Sequence, residues 1–375
     1  MVGRLNRYRF GVNYTPARAW YYCWNDFQEE AIGRDLDAIA EIGADHIRLM
    51  LVWPYFQPNP RTVSEVHLER LDSVMALAQE RSLDVCVTLF VGWLSGFAFR
   101  PPFQEDGSFY DLAASAPAQE LYFRAVAERV ADRANFLGFD LGNELGCCWR
   151  SEDRSLADRW SRHMLALAAE LAPHGVHVNG VDHNPWFNPA TFSPQHLAAD
   201  QDLLTLHCWT YFTGASKRSG GDFLSERCLR LPESMAALAR SYAGDSTKPV
   251  WVQEYGMSEE WLGPESIPGF LERSTLGAIE AGLNWFTWWS SHDLDRAYAF
   301  APLEYSLGLI ANDGRIKPQG VVFKQIAEAW RGREVSVSTG AVLPPPPQQH
   351  TAESTWEWLD DYTGCLLPGS QKPRS

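Results

Sequence analysis

Eight short apolar runs, each followed by a helical stretch, predict a single (β/α)8 barrel of the α/β class. Three observations lead there. The strand-like runs, such as Leu83 to Val91, are apolar almost throughout rather than alternating, as expected of parallel strands covered on both faces. The intervening segments repeat apolar residues at helical spacing. Two glutamates, Glu144 and Glu254, each close such a run and lie roughly 110 residues apart, three strand–helix units of about 35 residues.

The elements follow in order. Arg9 to Tyr14 is a strand, followed by the aromatic loop Trp20-Tyr21-Tyr22-Cys23-Trp24 and a helix from Phe27 to Ile42, with Gly43 as its stop. His46 to Val52 is the second strand, Val66 to Arg81 a helix, and Leu83 to Val91 the third strand. The stretch Gly92 to Pro117, rich in Phe, Pro and Gly, reads as a long functional loop. Ala118 to Arg133 is a helix, and the run from Phe136 ends at Asn143-Glu144. Leu156 to Leu171 is a helix, Val176 to Val181 a strand, and Pro194 to Ala199 a short helix. Then come the strand Leu203 to His207, a mostly helical Phe223 to Ala243, the strand Val250 to Glu254, and a helix from Pro268 to Ala281. Leu283 to Trp289 is the eighth strand and Gly320 to Trp330 the closing helix. The barrel is expected over residues 1–333. Residues 334–375, with Pro344-Pro345-Pro346-Pro347, read as a polyproline linker and a disordered tail, with docking of Trp356 to Tyr362 as an amphipathic turn the alternative.

Composition narrows the function. A net charge of −15 argues against nucleic acid and anionic membranes as partners and suits a neutral substrate. Sixteen Trp residues exceed what packing asks for and suggest ligand contacts at a barrel mouth. Seven scattered Cys without paired spacing, the absence of an apolar leader after Met1, and the lack of any 18-residue apolar run suggest a cytoplasmic protein. Asp293-Leu294-Asp295 has no accompanying ligand set, so neither a metal nor a cofactor is expected.

Barrel chemistry sits at the C-terminal strand ends, which places Glu144 and Glu254 across one mouth. A carboxyl group half-removed from water holds its proton more tightly and can serve as a general acid. The competing reading of Asn143-Glu144 is a helix N-terminus, capped by Asn143.

Over roughly Phe10 to Trp330 these residues resemble a clan A glycoside hydrolase, most like family 5. The resemblance implies that Glu144 is the acid/base, Glu254 the nucleophile, and Asn143 a ligand of the sugar 2-hydroxyl. It makes Arg48 the partner that keeps Glu254 ionised, His207 the strand-six histidine, and Trp288 the platform beneath the sugar. Arg48 as an ordinary ion pair and His207 as a core histidine are the plainer alternatives. Two places depart from the family pattern: Phe90-Val91-Gly92-Trp93 stands where a histidine is usual, and Trp209 stands where a tyrosine is. Tyr211 is the candidate for that tyrosine's role. Gly11 to Pro16, Trp288 to Asp293 and Glu304 to Leu309 resemble the exo-β-mannosidases of subfamily 18. The long loops at the mouth imply a pocket in which Asn13, Tyr211 or His292 reaches sugar hydroxyls. The expectation is a retaining exo-β-mannosidase acting on short β-1,4-mannosides, including Man-β-1,4-GlcNAc. An endo-β-1,4-mannanase or glucanase, and a carbohydrate-binding barrel without activity, are the alternatives.

Overall fold

The computed structural model describes residues 5–104, 108–335 and 342–366. Eight parallel strands form one sheet: β1 (Arg9–Asn13), β2 (His46–Val52), β3 (Asp84–Val91), β4 (Phe136–Asn143), β5 (Val178–Gly180), β6 (Leu204–His207), β7 (Val250–Tyr255) and β8 (Trp285–Trp288). Their spatial order is β5-β4-β3-β2-β1-β8-β7-β6. The chain is therefore wound as a barrel whose seam lies between β5 and β6. Side chains close that seam: Thr205 Oγ1 donates to the Asn179 carbonyl at 2.8 Å, and Gln201 Oε1 accepts from Asn179 N–H at 2.8 Å. The predicted (β/α)8 architecture is thus the observed one.

The main helices pack outside: α1 (Glu29–Glu41), α2 (Glu65–Glu80), α3 (Leu112–Val130), α4 (Arg154–Leu171), α5 (Pro194–Asp200), α6 (Leu231–Ala243), α7 (Ile267–Glu280), α8 (Pro318–Trp330) and α9 (Ala352–Leu366). No helix among the described residues is long and apolar enough to cross a membrane.

The barrel interior is layered. Cys86, Leu137, Val178, Leu203, Trp251 and Trp285 fill its lower part. Above them His46 and Trp251 both hydrogen-bond the Thr287 hydroxyl, at 2.8 and 2.6 Å. The layer nearest the C-terminal strand ends is polar and holds Arg48, Thr88, Asp140, Gln253 and Glu254, all buried. Buried charge must be paired, so this layer is built as one network.

Two segments differ from the sequence reading. The region expected as a loop through Pro117 instead makes a small hairpin, Trp93–Leu94 against Phe97–Ala98, and then enters α3 at Leu112. Asp111 caps that helix by accepting from Ala113 N–H. Pro117 lies inside the helix; the Phe109 carbonyl, accepting from Ser115 Oγ and Gln119 Nε2, ties this turn to the preceding chain. The second difference is the C-terminal segment, expected to be disordered. Part of it forms α9, which buries Trp356 and Leu359 and so docks on the barrel. Trp356 Nε1 donates to the Thr213 carbonyl, Asp360 pairs with Arg227 at 2.7 Å, and the Trp356 ring meets Phe187 at 5.3 Å. Residues 336–341 and 367–375 lie outside the described part of the chain.

Candidate active site

Glu144 follows β4 directly, in the left-handed region at φ 47°, ψ 49°. For a residue with a Cβ that conformation costs about 1–2 kcal/mol. It is held by the Glu144 N–H bond to the Gly180 carbonyl on β5, at 2.8 Å. Asn143 ends the strand and does not act as a helix cap: its Nδ2 donates to the Trp93 carbonyl, and its Oδ1 has no partner among the described residues. Glu254 lies within β7, in register with His207 of β6.

These neighbours converge. A carboxylate oxygen from each glutamate and a ring nitrogen of His207 lie within 4.8 Å of one another. Arg48 Nη1 contacts Glu254 Oε1 at 2.7 Å, while its other arm meets Asp140 at 2.7 Å. Trp209 Nε1 donates to Glu254 Oε2 at 3.1 Å. Among the described residues no Arg or Lys contacts Glu144; its close partner is His207 Nδ1 at 2.8 Å.

The network also sets where protons sit. Asp140 Oδ2 accepts from Arg48 and from Gln253 Nε2, so the Gln253 carbonyl oxygen faces His207 Nε2, at 3.1 Å. That oxygen only accepts, which places a proton on Nε2. Burial lowers the pKa of His207 and keeps the ring neutral. Nδ1 then carries a lone pair and stands between the two carboxyl groups, 2.8 Å from Glu144 Oε1 and 3.3 Å from Glu254 Oε2, where a protonated Glu144 can donate to it. The electrostatics agree. Burial, reinforced by the nearby Asp182 charge, pushes Glu144 up to about 8. Burial raises Glu254 as well, against the opposing pull of the Arg48 guanidinium and the Trp209 N–H. Arg48 and the Trp209 N–H favour the ionised form of Glu254, and nothing comparable among the described residues favours that of Glu144, the kind of asymmetry that sets an acid apart from a nucleophile.

Gly180 makes this arrangement possible. A Cβ there would stand 2.6 Å from Arg48 Nη2 and 2.7 Å from Asp140 Oδ2, and the glycine N–H donates to Asp140 Oδ1 at 2.7 Å.

A cavity of about 330 Å3 opens over the pair, lined among others by Trp93, Asn143, Asp182, Trp209, Trp289 and Glu304. Cys147, Asp182 and Asn184 also line a second cavity, of about 410 Å3, on the β4–β5 side.

Of the residues expected at the site, Glu144, Glu254, Arg48, Asn143, His207 and Trp209 are brought together. Four are placed elsewhere. Trp288 is fully buried beneath the mouth, its Nε1 donating to the Leu307 carbonyl, and it is Trp289 that faces the cavity. Asn13 is buried, bonding the Gln253 carbonyl and Arg48. His292 is buried against Ser291, with Asp35 3.8 Å from its other nitrogen. Tyr211 is 52% exposed and stacks on Trp261, so Trp209 alone meets Glu254 where a tyrosine was expected. The sequence reading gave no role to Asp140, Asp182, Gln253 or Trp289. Asp140 left one signal, a charge in the middle of the apolar run Phe139-Asp140-Leu141.

Among the described residues, Glu144, His207 and Glu254 are the group whose donor atoms converge closely enough to hold a metal ion. The Arg48 guanidinium, 2.7 Å from Glu254, already neutralises that carboxylate and would repel a second cation. Asp293, flagged in the sequence, instead pairs with Lys317 at 3.0 Å.

Comparison with known proteins gives a consistent result. A curated relative, Cellodextrinase A of Ruminococcus flavefaciens, is 25% identical over 181 residues, 47% of this chain and about half the length of that protein. A GH5_18 structure from Streptomyces cattleya in complex with Manβ1-4GlcNAc is 29% identical and superposes with a TM-score of 0.86, covering 97% of this chain and 92% of that one. Exo-beta-1,4-mannosidase Op5Man5 from Opitutaceae bacterium strain TAV5 is 25% identical, with a TM-score of 0.75 over 87% of this chain and 60% of that one. The family described as Cellulase (glycosyl hydrolase family 5) matches residues 6–292, most of the barrel and both candidate glutamates, and the chain belongs to that family, with a subfamily 18-like structure.

Proposed function

We propose that this glycoside hydrolase is a retaining exo-β-mannosidase that releases mannose from short β-1,4-linked mannosides such as Man-β-1,4-GlcNAc. The observation that carries the reading is the asymmetric pair: two carboxylates with oxygens within 4.8 Å, of which only Glu254 is held by Arg48. Retaining enzymes keep their carboxyl groups about 5–5.5 Å apart, whereas inversion needs about 6.5–9.5 Å to seat a water.

Glu254 attacks the anomeric carbon as the glycosidic C–O bond breaks, and the Glu144 carboxyl proton passes to the leaving oxygen. Glu144, now a carboxylate, removes a proton from water. The water oxygen bonds to the anomeric carbon, and the bond to Glu254 breaks. The free Asn143 Oδ1 is available to the sugar 2-hydroxyl. Trp289 supplies the flat apolar face under the ring that the sequence assigned to Trp288.

Exo action is supported by the shape of the mouth. Tyr21, Phe97 and Phe300 pack ring against ring at 5.7 to 6.1 Å, the last two next in sequence to Gly96 and Ala301 of the cavity wall. The opposite side leads past Cys147 and Asp182 into the second cavity, a path for the leaving group. The choice of mannose rests on the two similar structures, one bound to Manβ1-4GlcNAc and one named as an exo-β-1,4-mannosidase.

The test is a panel of 4-nitrophenyl β-glycosides together with timed digestion of mannohexaose. The β-mannoside should have the highest kcat/KM. Mannose and mannopentaose should appear first, and NMR should show the first-formed mannose as the β anomer. Early mannobiose and mannotriose without free mannose would replace this reading with an endo-mannanase; preference for the β-glucoside would keep the pocket and change the sugar.

A further inference from the structure

A third carboxylate faces the cavity that holds Glu144 and Glu254. Glu304 lies on the 3-10 turn Pro302–Ser306, in the segment that follows β8. In the barrel order β8 is four strands from β4, so Glu304 rises from the wall opposite Glu144. Its one hydrogen-bond partner among the described residues is the Ser95 hydroxyl, which donates to Oε2 at 3.0 Å, and no cation pairs with it. An acid held in a largely enclosed cavity with so little compensation is costly unless something else satisfies it.

The surroundings fix Glu304 in place. Trp20 Nε1 donates to Ser95 Oγ at 3.0 Å, which directs the Ser95 proton onto Glu304. Trp20 and Ser95 both hold the left-handed region, at φ 45° and 48°, conformations that persist only where packing over-determines them. The turn itself is pinned from below. Ser258 Oγ donates to the Leu303 carbonyl at 2.9 Å, and Lys317 Nζ to the Ser306 carbonyl at 3.1 Å. Segments after β1, β3 and β8 thus combine to present a single carboxylate oxygen, Oε1, to the cavity.

We propose that Glu304 is the specificity-determining residue for the terminal sugar, its carboxylate accepting hydrogen bonds from hydroxyls on the side of the ring remote from the scissile bond. This rests on the reading of the cavity as the site of that sugar. With its two lone pairs Oε1 accepts from two adjacent hydroxyls at once, and a substituent at either one would meet the wall at Ser95. The same residue then reads the sugar and blocks further chain on its non-reducing side. Asp182 and Glu254 add their charge to the same lining, whereas Arg48 is buried beneath it. The pocket therefore selects neutral hydroxylated sugars and repels uronic or phosphorylated ones. Burial, helped by the charge of Glu254, pushes Glu304 up to about 7, which matches a group whose compensation comes from a ligand.

The experiment is a matrix of kcat/KM values. Wild type, Glu304→Gln, Glu304→Ala and Ser95→Ala are measured on 4-nitrophenyl β-mannoside and on its 2-, 3-, 4- and 6-deoxy analogues. Wild type should lose about 10- to 100-fold on two of the 3-, 4- and 6-deoxy compounds, as expected when a hydroxyl bonded to a charged group is removed. Glu304→Ala should lose a similar factor on the parent and nothing further on those two compounds, with Glu304→Gln and Ser95→Ala intermediate. The 2-deoxy penalty should survive in every variant, because Glu304 does not reach that hydroxyl. Deoxy penalties that remain multiplicative in Glu304→Ala would overturn the proposal. If thermal melting shows Glu304→Ala to be unfolded, the same comparison is decided by Glu304→Gln and Ser95→Ala. If wild type instead cleaves the β-glucoside and not the β-mannoside, the choice of sugar fails, and the matrix run on deoxy glucosides still decides the role of Glu304.

Discussion

Asp182 and Glu144 share one thiol: Cys147 Sγ lies 3.5 Å from Asp182 Oδ2 and 4.0 Å from Glu144 Oε2. Asp182 thus lies beside the candidate acid and, after burial, is what raises its pKa most. A raised Glu144 loses its proton only above about pH 8, so kcat/KM should fall on the alkaline side near there, and on the acid side as Glu254 takes up a proton. Asp182→Asn removes a charge that disfavours the ionised form of Glu144. The alkaline limb should move to lower pH while the acid limb stays. A pH profile in which the alkaline limb does not move would mean that burial alone sets the acidity.

The contact of Arg48 with Glu254 and not with Glu144 separates the two roles. Glu254→Gln should lower kcat by about 10⁴-fold or more on every substrate. Glu144→Ala should cost about 10²- to 10⁴-fold on natural glycosides and far less in the first step with a nitrophenyl leaving group, which needs little protonation. Azide should then accelerate turnover of Glu144→Ala and give a β-glycosyl azide. Rescue of Glu254→Ala by azide, with a retained β-azide product, would reverse the assignment.

Gly180→Ala tests the close approach of β5 to the ion pair. Its Cβ would have to displace Arg48 or Asp140, both within 2.8 Å of it. A displacement of about 1 Å at a reacting group costs about 10²-fold in rate. The variant should show that loss in kcat with a smaller effect on KM, measured on 4-nitrophenyl β-mannoside.

Adjacent tryptophans on one strand should behave differently. Trp288 is packed against Tyr255 at 5.0 Å between centroids and is closed off from the cavity, so Trp288→Ala should destabilise the fold by about 3–5 kcal/mol in denaturant unfolding. Trp289 lines the cavity, and Trp289→Ala should lower kcat/KM by at least 10-fold with a smaller loss of stability. The opposite pattern would restore Trp288 as the platform.

The barrel was legible in the sequence because its strands are apolar throughout and its helices amphipathic, patterns that survive without knowledge of the partners. Glu144 and Glu254 were legible because each closes such a run, where the winding of the barrel gathers them at one mouth, and Asn143, Arg48 and His207 were legible only through the family resemblance. The sequence alone determined that much. It could not decide which side chains turn upward and which inward. Alternation along β8 separated Trp288 from Trp289 but left open which of the two faces the mouth, and Asn13 and His292 look as available as Asn143 until their burial is seen. Tyr211 looked suited to replace a missing tyrosine, yet the loop carries it to Trp261 and leaves Trp209 on Glu254. The docking of α9 depended on a matching apolar surface formed by the loops after β5 and β6, which no local pattern describes. Charges such as Asp140, Asp182 and Glu304 acquire meaning only from neighbours distant in sequence, because the strength of an electrostatic interaction is set by distance in space and by exclusion of water, and both are properties of the folded chain.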